Sequence, residues 1–447
     1  MEKHNSHNNG TFSSAMGFVI ACVGSAVGLG NIWMFPYRLG QYGGAAFLIP
    51  YLLFIFLFGW VGLSAEFAIG RRAGTGTLGS YHYCYSRGAS PENSRKNLGS
   101  VLGWIPLFGS LGIAIGYAII LGWVLRFFGG SVTGSLMSAD TQEVFSAITG
   151  NFGSLTWHII VVAIVTLVLC TGVTDRIESI SKILMPLFFL LFLLLAIYVC
   201  FLPGASSGYA FLFVPDWSKL LDINTWVMAM GQAFFSLSIT GSGMIVYGAY
   251  LGKNVDIPGV SLKTAGFDTI AALLSSLVIM PAVFAFGIDP KSGPPLLFLT
   301  LPKVFAQMPL GQVFSIIFFL SVLFAGITSL INMFEAVIES TQHKSHLNRK
   351  TAVLLCGALT LLVGVFLEPE ARVGNWMDFI TIIIVPFGAV LGAISIYYVF
   401  GYRNIHPELE LGRKQPVSPW FGITAKYVYV PLTVIVFVLG LIYHGIG

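Results

Sequence analysis

The chain of 447 residues is strongly apolar, with 56% hydrophobic and 9% charged residues and a mean hydropathy of +0.83. This composition excludes an ordinary soluble domain and indicates a protein that crosses a lipid bilayer many times. The net charge of +4 is small, so it bears on membrane orientation and predicts no nucleic-acid partner. The five cysteines show no paired spacing, which argues against a disulfide framework or a metal site.

Eleven hydrophobic stretches, numbered here as spans 1 to 11, have about the length that a bilayer requires. Their approximate limits are 14–38, 43–70, 100–129, 155–173, 177–202, 222–250, 264–288, 311–340, 350–367, 375–402 and 424–445. Most of the 23 lysines and arginines fall on the side of the N-terminal tail, residues 1–13. The positive-inside rule then predicts a multi-pass plasma (inner) membrane protein with a cytoplasmic N-terminus.

Span 1 contains a stretch that favours a broken helix, VGSAVGLGNIWMFP at residues 23–36. Its poor helix formers are Gly24, Gly28, Gly30 and Pro36. A lipid bilayer tolerates a helix break only where protein buries it or where it lines a wet cavity. The freed carbonyls of such a break can bind a cation, and the freed N–H groups can bind an anion. The alternative is a glycine-rich face that lets helices approach closely.

A second glycine-broken stretch lies in span 6, GQAFFSLSITGSGMIVYGAY at residues 231–250. Interruptions at corresponding places in two halves are typical of a transporter binding site. We therefore predict an all-α membrane protein with two inverted five-helix repeats, residues 14–202 and 203–402. Residues 403–447 would then form a polar cytoplasmic loop, 403–420, and an eleventh helix.

The sequence resembles the neurotransmitter:sodium symporters, which are amino-acid transporters of the LeuT fold. The resemblance is carried by GSAVGLGNIW-FP in span 1, GQAFFSLS in span 6, LFAGITS in span 8 and WMDF in span 10. It extends through nearly the whole chain. Because the family's usual twelfth helix is missing, the resemblance is to the eleven-span bacterial members. It implies a 5+5 inverted repeat and a sodium-coupled carrier.

One sodium site is implied in span 8, where Ala325, Thr328 and Ser329 share one helix face. Sodium is a hard cation that prefers oxygen ligands. By resemblance these three residues and the carbonyls of Gly24 and Val27 form the family's second sodium site. Without the resemblance, the two hydroxyls could instead bond back to their own helix.

The other sodium site, by resemblance, uses the Ala26 carbonyl, Asn31, Ser236 and the carboxylate of the substrate. The candidate ligand from span 7 is Asp268. An intramembrane acid is expensive and favours a functional role, although Asp268 could also be interfacial. A fixed negative charge there would offset sodium, so two sodium ions and no chloride requirement are expected.

The substrate is expected to be a neutral amino acid, because Gly28 stands where the family's monoamine carriers place an acid. By resemblance, N–H groups near Ala26 and Gly30 and the hydroxyl of Tyr117 hold the substrate carboxylate. The predicted side-chain pocket consists of Ser25, Ile113, Phe235, Ser238, Gly241, Ser242, Ser329 and Met333. It has small residues where some relatives carry a bulky one, which favours large hydrophobic side chains.

Two gate residues follow from the resemblance. Asp378 matches the aspartate of the outer gate, but Met34 replaces its arginine, so Arg38, one turn later, is the candidate partner. A solvated interfacial Arg38 is the alternative. At the inner gate the family's residues are replaced by Asn9, Phe12 and His343. Buried acids at Glu66, Glu335 and Glu339 are either structural or linked to protons.

These observations predict a sodium-coupled symporter for neutral, bulky hydrophobic L-amino acids that works by alternating access between spans 1, 3, 6 and 8. The partners would be the amino acid, sodium and the lipid bilayer, and the protein would be a monomer or a weak dimer. No phosphate-binding loop, nucleophile triad or metal-ligand cluster indicates an enzyme. The alternatives are a proton-coupled or uncoupled carrier, and a receptor or channel on the same fold.

Overall fold

The computed structural model describes residues 11–88, 96–172, 174–287 and 296–445, and every regular element in these ranges is helical. Most of the predicted tail, with Asn9, and the first residues of the loop after span 7 lie outside the described residues. Spans 1 to 11 correspond, in order, to Ala15–Ala26 with Gly30–Gln41, Ala45–Ala73, Asn97–Val132, Leu155–Cys170, Thr174–Val199, Ile223–Ser236 with Gly243–Ala249, Ile257–Ala285, Gly311–Ser345, Arg349–Leu367, Glu370–Glu410 and Trp420–Ile442. The shorter helices between them include Thr77–Ser86, Thr141–Ile148, Ala205–Phe213 and Leu301–Gln307.

The helices agree with a multi-pass membrane protein. Within the described ranges, 8 helices are long and apolar enough to cross a membrane, or 9 when the bent pair in span 1 is one span. Span 4 is a shorter apolar helix, and span 6 is divided into two helices by a six-residue break, Leu237 to Ser242. Each predicted span therefore has a helical counterpart. By length and apolarity alone, however, spans 4 and 6 would not be counted as helices that cross a membrane.

The predicted loop at 403–420 is partly wrong, because the helix of span 10 continues to Glu410. Its last two turns carry polar residues on one side and the buried Ile405 and Leu409 on the other. The prediction of a loop fails here because the polar residues belong to one side of an amphipathic helix. Only a short connection remains before Trp420.

Span 3 lies at the centre of the bundle, where it packs against spans 4 and 8. In the most apolar part of span 3, 89% of the stretch is buried inside the protein. The corresponding share is 33% for spans 5, 9 and 11. Those three helices therefore expose much of their apolar surface to lipid, whereas span 3 can place side chains in the interior.

Span 1 is bent by 63° at its break. The first half begins at Ser14, whose hydroxyl accepts a 3.0 Å hydrogen bond from the Gly17 N–H. It ends where Val27 adopts an extended conformation, φ −68° and ψ 114°. The break leaves the last carbonyls of the first half without helical partners.

The break in span 6 contains two left-handed residues, Ser238 at φ +53° and Gly241 at φ +72°. A Cβ at Gly241 would lie 2.5 Å from the Gly388 carbonyl oxygen, so this position requires glycine. The two breaks lie close together, because a Cβ at Gly30, directly after the break in span 1, would lie 3.1 Å from the ring of Phe235, two residues before the break in span 6. The fold therefore places both irregular segments at one central point.

Candidate functional site

A cavity of about 400 Å³ opens where the two breaks meet spans 3, 8 and 10. This volume is within the usual range for a small-molecule site. Nine of the eleven predicted substrate residues line the cavity: Ser25, Ala26, Gly30, Ile113, Tyr117, Phe235, Ser238, Ser329 and Met333. The lining is largely apolar, with polar groups concentrated near the two breaks.

Gly241 and Ser242 are the two predicted substrate residues that are not among the described residues lining the cavity. The Gly241 N–H donates a 2.8 Å hydrogen bond to Glu66, and the Ser242 hydroxyl lies 2.8 Å from that of Thr77. Both residues thus face spans 2 and 10 and the helix after span 2, away from the cavity. Thr240 and Gly243 line the cavity in their place, because the left-handed turns rotate the chain between them.

Tyr117 in span 3 contacts the break in span 1 directly. Its hydroxyl accepts a 3.0 Å hydrogen bond from the Leu29 N–H. A Cβ at Gly28 would lie only 2.6 Å from this hydroxyl oxygen, so Gly28 gives Tyr117 the room to approach. A hydroxyl and a helix N-terminus that face one cavity form a suitable place for an anionic group.

The first oxygen cluster, defined by Gly24, Val27 and Ser329, lies behind the break in span 1. The Ser329 hydroxyl is 3.2 Å from the Gly24 carbonyl oxygen and 3.0 Å from that of Val27. Its third neighbour is the Ala325 carbonyl oxygen at 3.1 Å. The Thr328 side chain reaches the same place, since a Cβ at Gly24 would lie 3.3 Å from its hydroxyl oxygen.

The Thr328 hydroxyl bonds back to the carbonyls of Phe324 and Ala325, both at 3.0 Å. This is the alternative that the sequence left open for the two hydroxyls. Ser329 also bonds back to Ala325, but in addition it bonds across to span 1. Together the five predicted residues bring carbonyl and hydroxyl oxygens to one point, the ligand type that sodium prefers.

The second oxygen cluster consists of Asn31, Ser236 and Asp268. The Asn31 amide nitrogen donates to Asp268 Oδ1 at 2.7 Å and to the Ser236 hydroxyl at 3.0 Å. The Ser236 hydroxyl donates to Asp268 Oδ2 at 2.6 Å. Span 7 therefore places Asp268 beside the two predicted ligands, and Ala26 lines the adjacent cavity.

Asp268 is fully buried inside the protein. Burying a carboxylate without a compensating positive charge is costly. Its neighbours Asn31 and Ser236 are neutral, and they supply hydrogen bonds but no charge. The cluster thus combines oxygen ligands with a carboxyl group whose ionised form would favour a cation beside it.

The two predicted gate residues occupy different places. Asp378 lines the cavity, together with Met377 and Thr381 of span 10. Arg38 is half-buried, one turn after the cavity-lining Met34, and is not among the described residues that line the cavity. Their pairing stays a prediction.

The buried acids outside the clusters have protein partners. Glu66 accepts the hydrogen bond from Gly241, and Glu339 accepts one from the Thr75 hydroxyl at 2.9 Å. Glu335 forms an ion pair with Arg349 at 2.8 Å and accepts a 2.6 Å hydrogen bond from the Tyr250 hydroxyl. These contacts satisfy at least one oxygen of each acid, and a structural role and a link to protons both stay open for Glu66 and Glu339.

The sequence analysis missed five residues with hydroxyl, amide or carboxyl side chains that line the cavity: Ser110, Thr240, Asn332, Glu370 and Thr381. Helix periodicity could have predicted Asn332, because this residue stands three residues after Ser329 on the same face of span 8. The signal for Ser110 is the same, since it lies one turn before Ile113 in span 3.

A many-helix membrane protein with two broken helices around a central cavity is a secondary transporter by fold and site. The model of the sodium:neurotransmitter symporter family matches residues 9–149 and 141–445, and the chain belongs to this family. Its members are transporters and not enzymes.

Individual relatives agree with the family. The chain is 33% identical over 450 residues to YhdH of Bacillus subtilis, an uncharacterized sodium-dependent transporter, covering 96% of this chain and 97% of the relative. It is 22% identical over 540 residues to the sodium-dependent neutral amino acid transporter B(0)AT1 of Rattus norvegicus, covering 98% and 82%.

Among solved structures, the crystal structure of MhsT in complex with L-phenylalanine matches with a TM-score of 0.84 and 33% identity. The match covers 97% of this chain and 100% of MhsT. The LeuT fold predicted from the resemblance is therefore confirmed.

Proposed function

We propose that the protein is a sodium-coupled symporter for neutral L-amino acids with bulky hydrophobic side chains. It would work by alternating access around the cavity between spans 1, 3, 6 and 8. The observation that carries this proposal is the pair of oxygen clusters beside the break in span 1, one of which contains the fully buried Asp268.

Each cluster would hold one sodium ion. Gly24, Val27, Ala325, Thr328 and Ser329 would supply the oxygens of one site, and Ala26, Asn31, Ser236 and Asp268 those of the other. At the second site the Asn31 amide would turn its oxygen toward the ion, since an amide presents a donor on one side and an acceptor on the other. Because Asp268 provides a fixed charge, no chloride is required.

An amino acid fits the cavity by charge and shape. Its carboxylate would lie near the Leu29 N–H, Gly30 and the Tyr117 hydroxyl, and its side chain against Ile113, Phe235 and Met333. The MhsT complex with L-phenylalanine supports a large apolar side chain. Each buried methylene contributes roughly 0.8 kcal/mol, so an apolar cavity of this size favours bulky substrates.

The remaining parts of the proposal concern the protein in its membrane. The protein would lie in the plasma (inner) membrane with a cytoplasmic N-terminus, as a monomer or a weak dimer. Arg38 and Asp378 would close the outer side of the cavity.

A proton-coupled or uncoupled amino-acid carrier is the second candidate. One oxygen each of Glu66 and Glu339 is buried and makes no hydrogen bond to the described residues. A carboxyl in that position is cheaper to bury when protonated, which is the observation that favours this candidate.

Binding of radiolabelled phenylalanine, tryptophan and leucine to the purified protein tests the proposal. The assay compares sodium with potassium at two pH values. Binding that requires sodium is the expected result. Binding that ignores sodium but follows pH would favour the proton-coupled carrier and remove both sodium sites.

A further inference from the structure

We propose that Asn332 makes the carrier accept amino-acid side chains that end in a hydrogen-bonding group, such as the phenol of tyrosine or the indole N–H of tryptophan. This inference rests on the proposed amino-acid transport and specifies its substrates. Asn332 is one of the polar residues that line the cavity, and none of the predicted ligand sets includes it.

Asn332 lies where the end of a long side chain would reach. The main-chain end of the substrate is fixed near Gly28, because Tyr117 and Ser329 both border that residue. Asn332 is one turn further along span 8, about 4.5 Å along the helix axis from Ser329. It shares the cavity-facing side of the helix with Ser329 and is 3% exposed. An aromatic ring is long enough to span this turn, whereas the hydroxyl of serine or threonine is too short.

The amide of Asn332 is held in one orientation by span 6. Its Nδ2 donates to the Gly243 carbonyl oxygen at 3.2 Å, and its side chain also shares a hydrogen bond with Tyr247. A Cβ at Gly243 would lie 2.6 Å from Asn332 Oδ1, so glycine is what allows this close approach. The amide therefore cannot turn without losing its contacts to the second half of span 6.

These contacts leave part of the amide unused. An asparagine side chain has two donor hydrogens and two acceptor lone pairs on its oxygen. Gly243 takes one donor and Tyr247 accounts for one further position. Whichever position Tyr247 takes, at least one lone pair of Oδ1 remains, and this oxygen lies beside Gly243, which lines the cavity, so a substrate hydroxyl or indole N–H can donate to it.

The fixed orientation separates Asn332 from the other polar groups of the cavity. The hydroxyls of Ser25 and Ser110 can rotate about one bond, and the Thr240 hydroxyl accepts a 3.2 Å hydrogen bond from the Gly243 N–H. A hydrogen-bonding group already held in place loses less freedom when it binds a ligand. Ile113, Ile239 and Met333 also line the cavity, and being apolar they offer no partner to a polar side-chain end.

The first test measures competition binding in sodium with the full-length wild-type protein. Tyrosine should bind at least as tightly as phenylalanine although its hydroxyl must leave water, and tryptophan should bind more tightly than 1-methyl-tryptophan. An apolar pocket without a partner would instead reject the buried hydroxyl. Tyrosine binding ten times more weakly than phenylalanine would overturn the proposal.

The second test uses Asn332→Leu, which keeps the volume but removes the amide. The affinity ratio of tyrosine to phenylalanine should fall about tenfold, the size expected for one lost hydrogen bond. Ile331→Leu, an apolar change at the neighbouring buried residue of span 8 that is not among the described residues lining the cavity, is the control and should leave that ratio within about twofold. An equal ratio in wild type and Asn332→Leu would also overturn the proposal.

Different results would contradict the proposed function and the proposed role of Asn332. If the wild-type protein binds no neutral amino acid in sodium, the proposed function fails. If it binds them but the ratio does not depend on Asn332, only the present inference fails. If Asn332→Leu binds no ligand at all, the wild-type series decides, because it requires no variant.

Discussion

At the scale of single residues, the two oxygen clusters differ in charge. The cluster of Gly24, Val27 and Ser329 consists of carbonyls and hydroxyls, whereas the other contains the Asp268 carboxylate. Loss of either should weaken sodium binding, but only Asp268 contributes a full negative charge.

Asp268→Asn should raise the sodium concentration for half-maximal substrate binding at least tenfold. Interactions with charged groups contribute about 1.5–3 kcal/mol, and 1.4 kcal/mol corresponds to a factor of ten. The measurement is a sodium titration of phenylalanine binding. Thr264→Val is the matched control on the same helix, because the Thr264 hydroxyl bonds back to Val260 at 3.0 Å, one turn before Asp268. An unchanged titration in Asp268→Asn would remove this residue from the site.

Ser329→Ala should also raise the sodium requirement, because the carbonyls of Gly24 and Val27 lose a shared oxygen neighbour. Thr328→Ala should act in the same direction. Ser321→Ala serves as the control on span 8, since its hydroxyl only bonds back to Ile317. If sodium dependence is the same in all three variants and in wild type, the first cluster is not a sodium site.

Helix periodicity explains which residues the sequence predicted well. Ala325, Thr328 and Ser329 lie in an unbroken helix, so their spacing fixes their common face. Gly241 and Ser242 lie in a non-helical segment with left-handed turns, where no period applies. The sequence therefore located the break in span 6 but not the direction in which its side chains point.

At the scale of elements, Gly28 lets spans 1 and 3 approach. Gly28→Ala should lower substrate affinity, because its Cβ would displace the Tyr117 hydroxyl from Leu29. Gly266→Ala is a suitable control, since a Cβ there meets nothing within 4 Å. Binding assays with Gly28→Ala, Tyr117→Phe and the double variant should show non-additive losses. Additive losses would mean that the two residues act separately.

The ion pair of Glu335 and Arg349 joins spans 8 and 9. Arg349 also donates to the carbonyl of Leu169 at the end of span 4 and to that of Gly172 just after it. Arg349→Met leaves the fully buried Glu335 carboxylate without its cation, and removing one partner of a buried pair costs about 3–5 kcal/mol. The midpoint of thermal inactivation in detergent should therefore fall.

The double variant Arg349→Met/Glu335→Gln provides the control for this pair. Since it removes the uncompensated charge, it should be more stable than Arg349→Met alone. A double variant that is less stable than either single variant would show that the ion pair is not what stabilises this contact.

The sequence alone could not predict ion pairs between residues that are distant in the chain. Glycine and proline indicated where helices break, and apolar runs indicated where they lie, because both are local properties. The partner of a buried charge depends on tertiary packing, as in the 2.7 Å pair of Arg71 and Glu408, which lie 337 residues apart. The family resemblance supplied such long-range information only where its motifs matched.

At the scale of the whole molecule, the number of sodium ions sets the accumulation that the carrier can reach. One charge that crosses 100 mV contributes about 2.3 kcal/mol, and a tenfold sodium gradient adds roughly 1.4 kcal/mol per ion. Two ions would therefore supply about 7 kcal/mol, enough for an accumulation of order 10⁵. One ion would support only a few hundredfold, on the same constants.

Uptake of labelled phenylalanine into proteoliposomes that contain the purified protein tests the central claim most directly. An inward sodium gradient and a potential that is negative inside are imposed, and a potassium gradient without sodium is the control. Two-sodium symport predicts accumulation far above a thousandfold at the thermodynamic limit, with uptake that increases with the potential. Phenylalanine that only equilibrates across the membrane, or that accumulates equally without sodium, would contradict sodium-coupled symport by this protein.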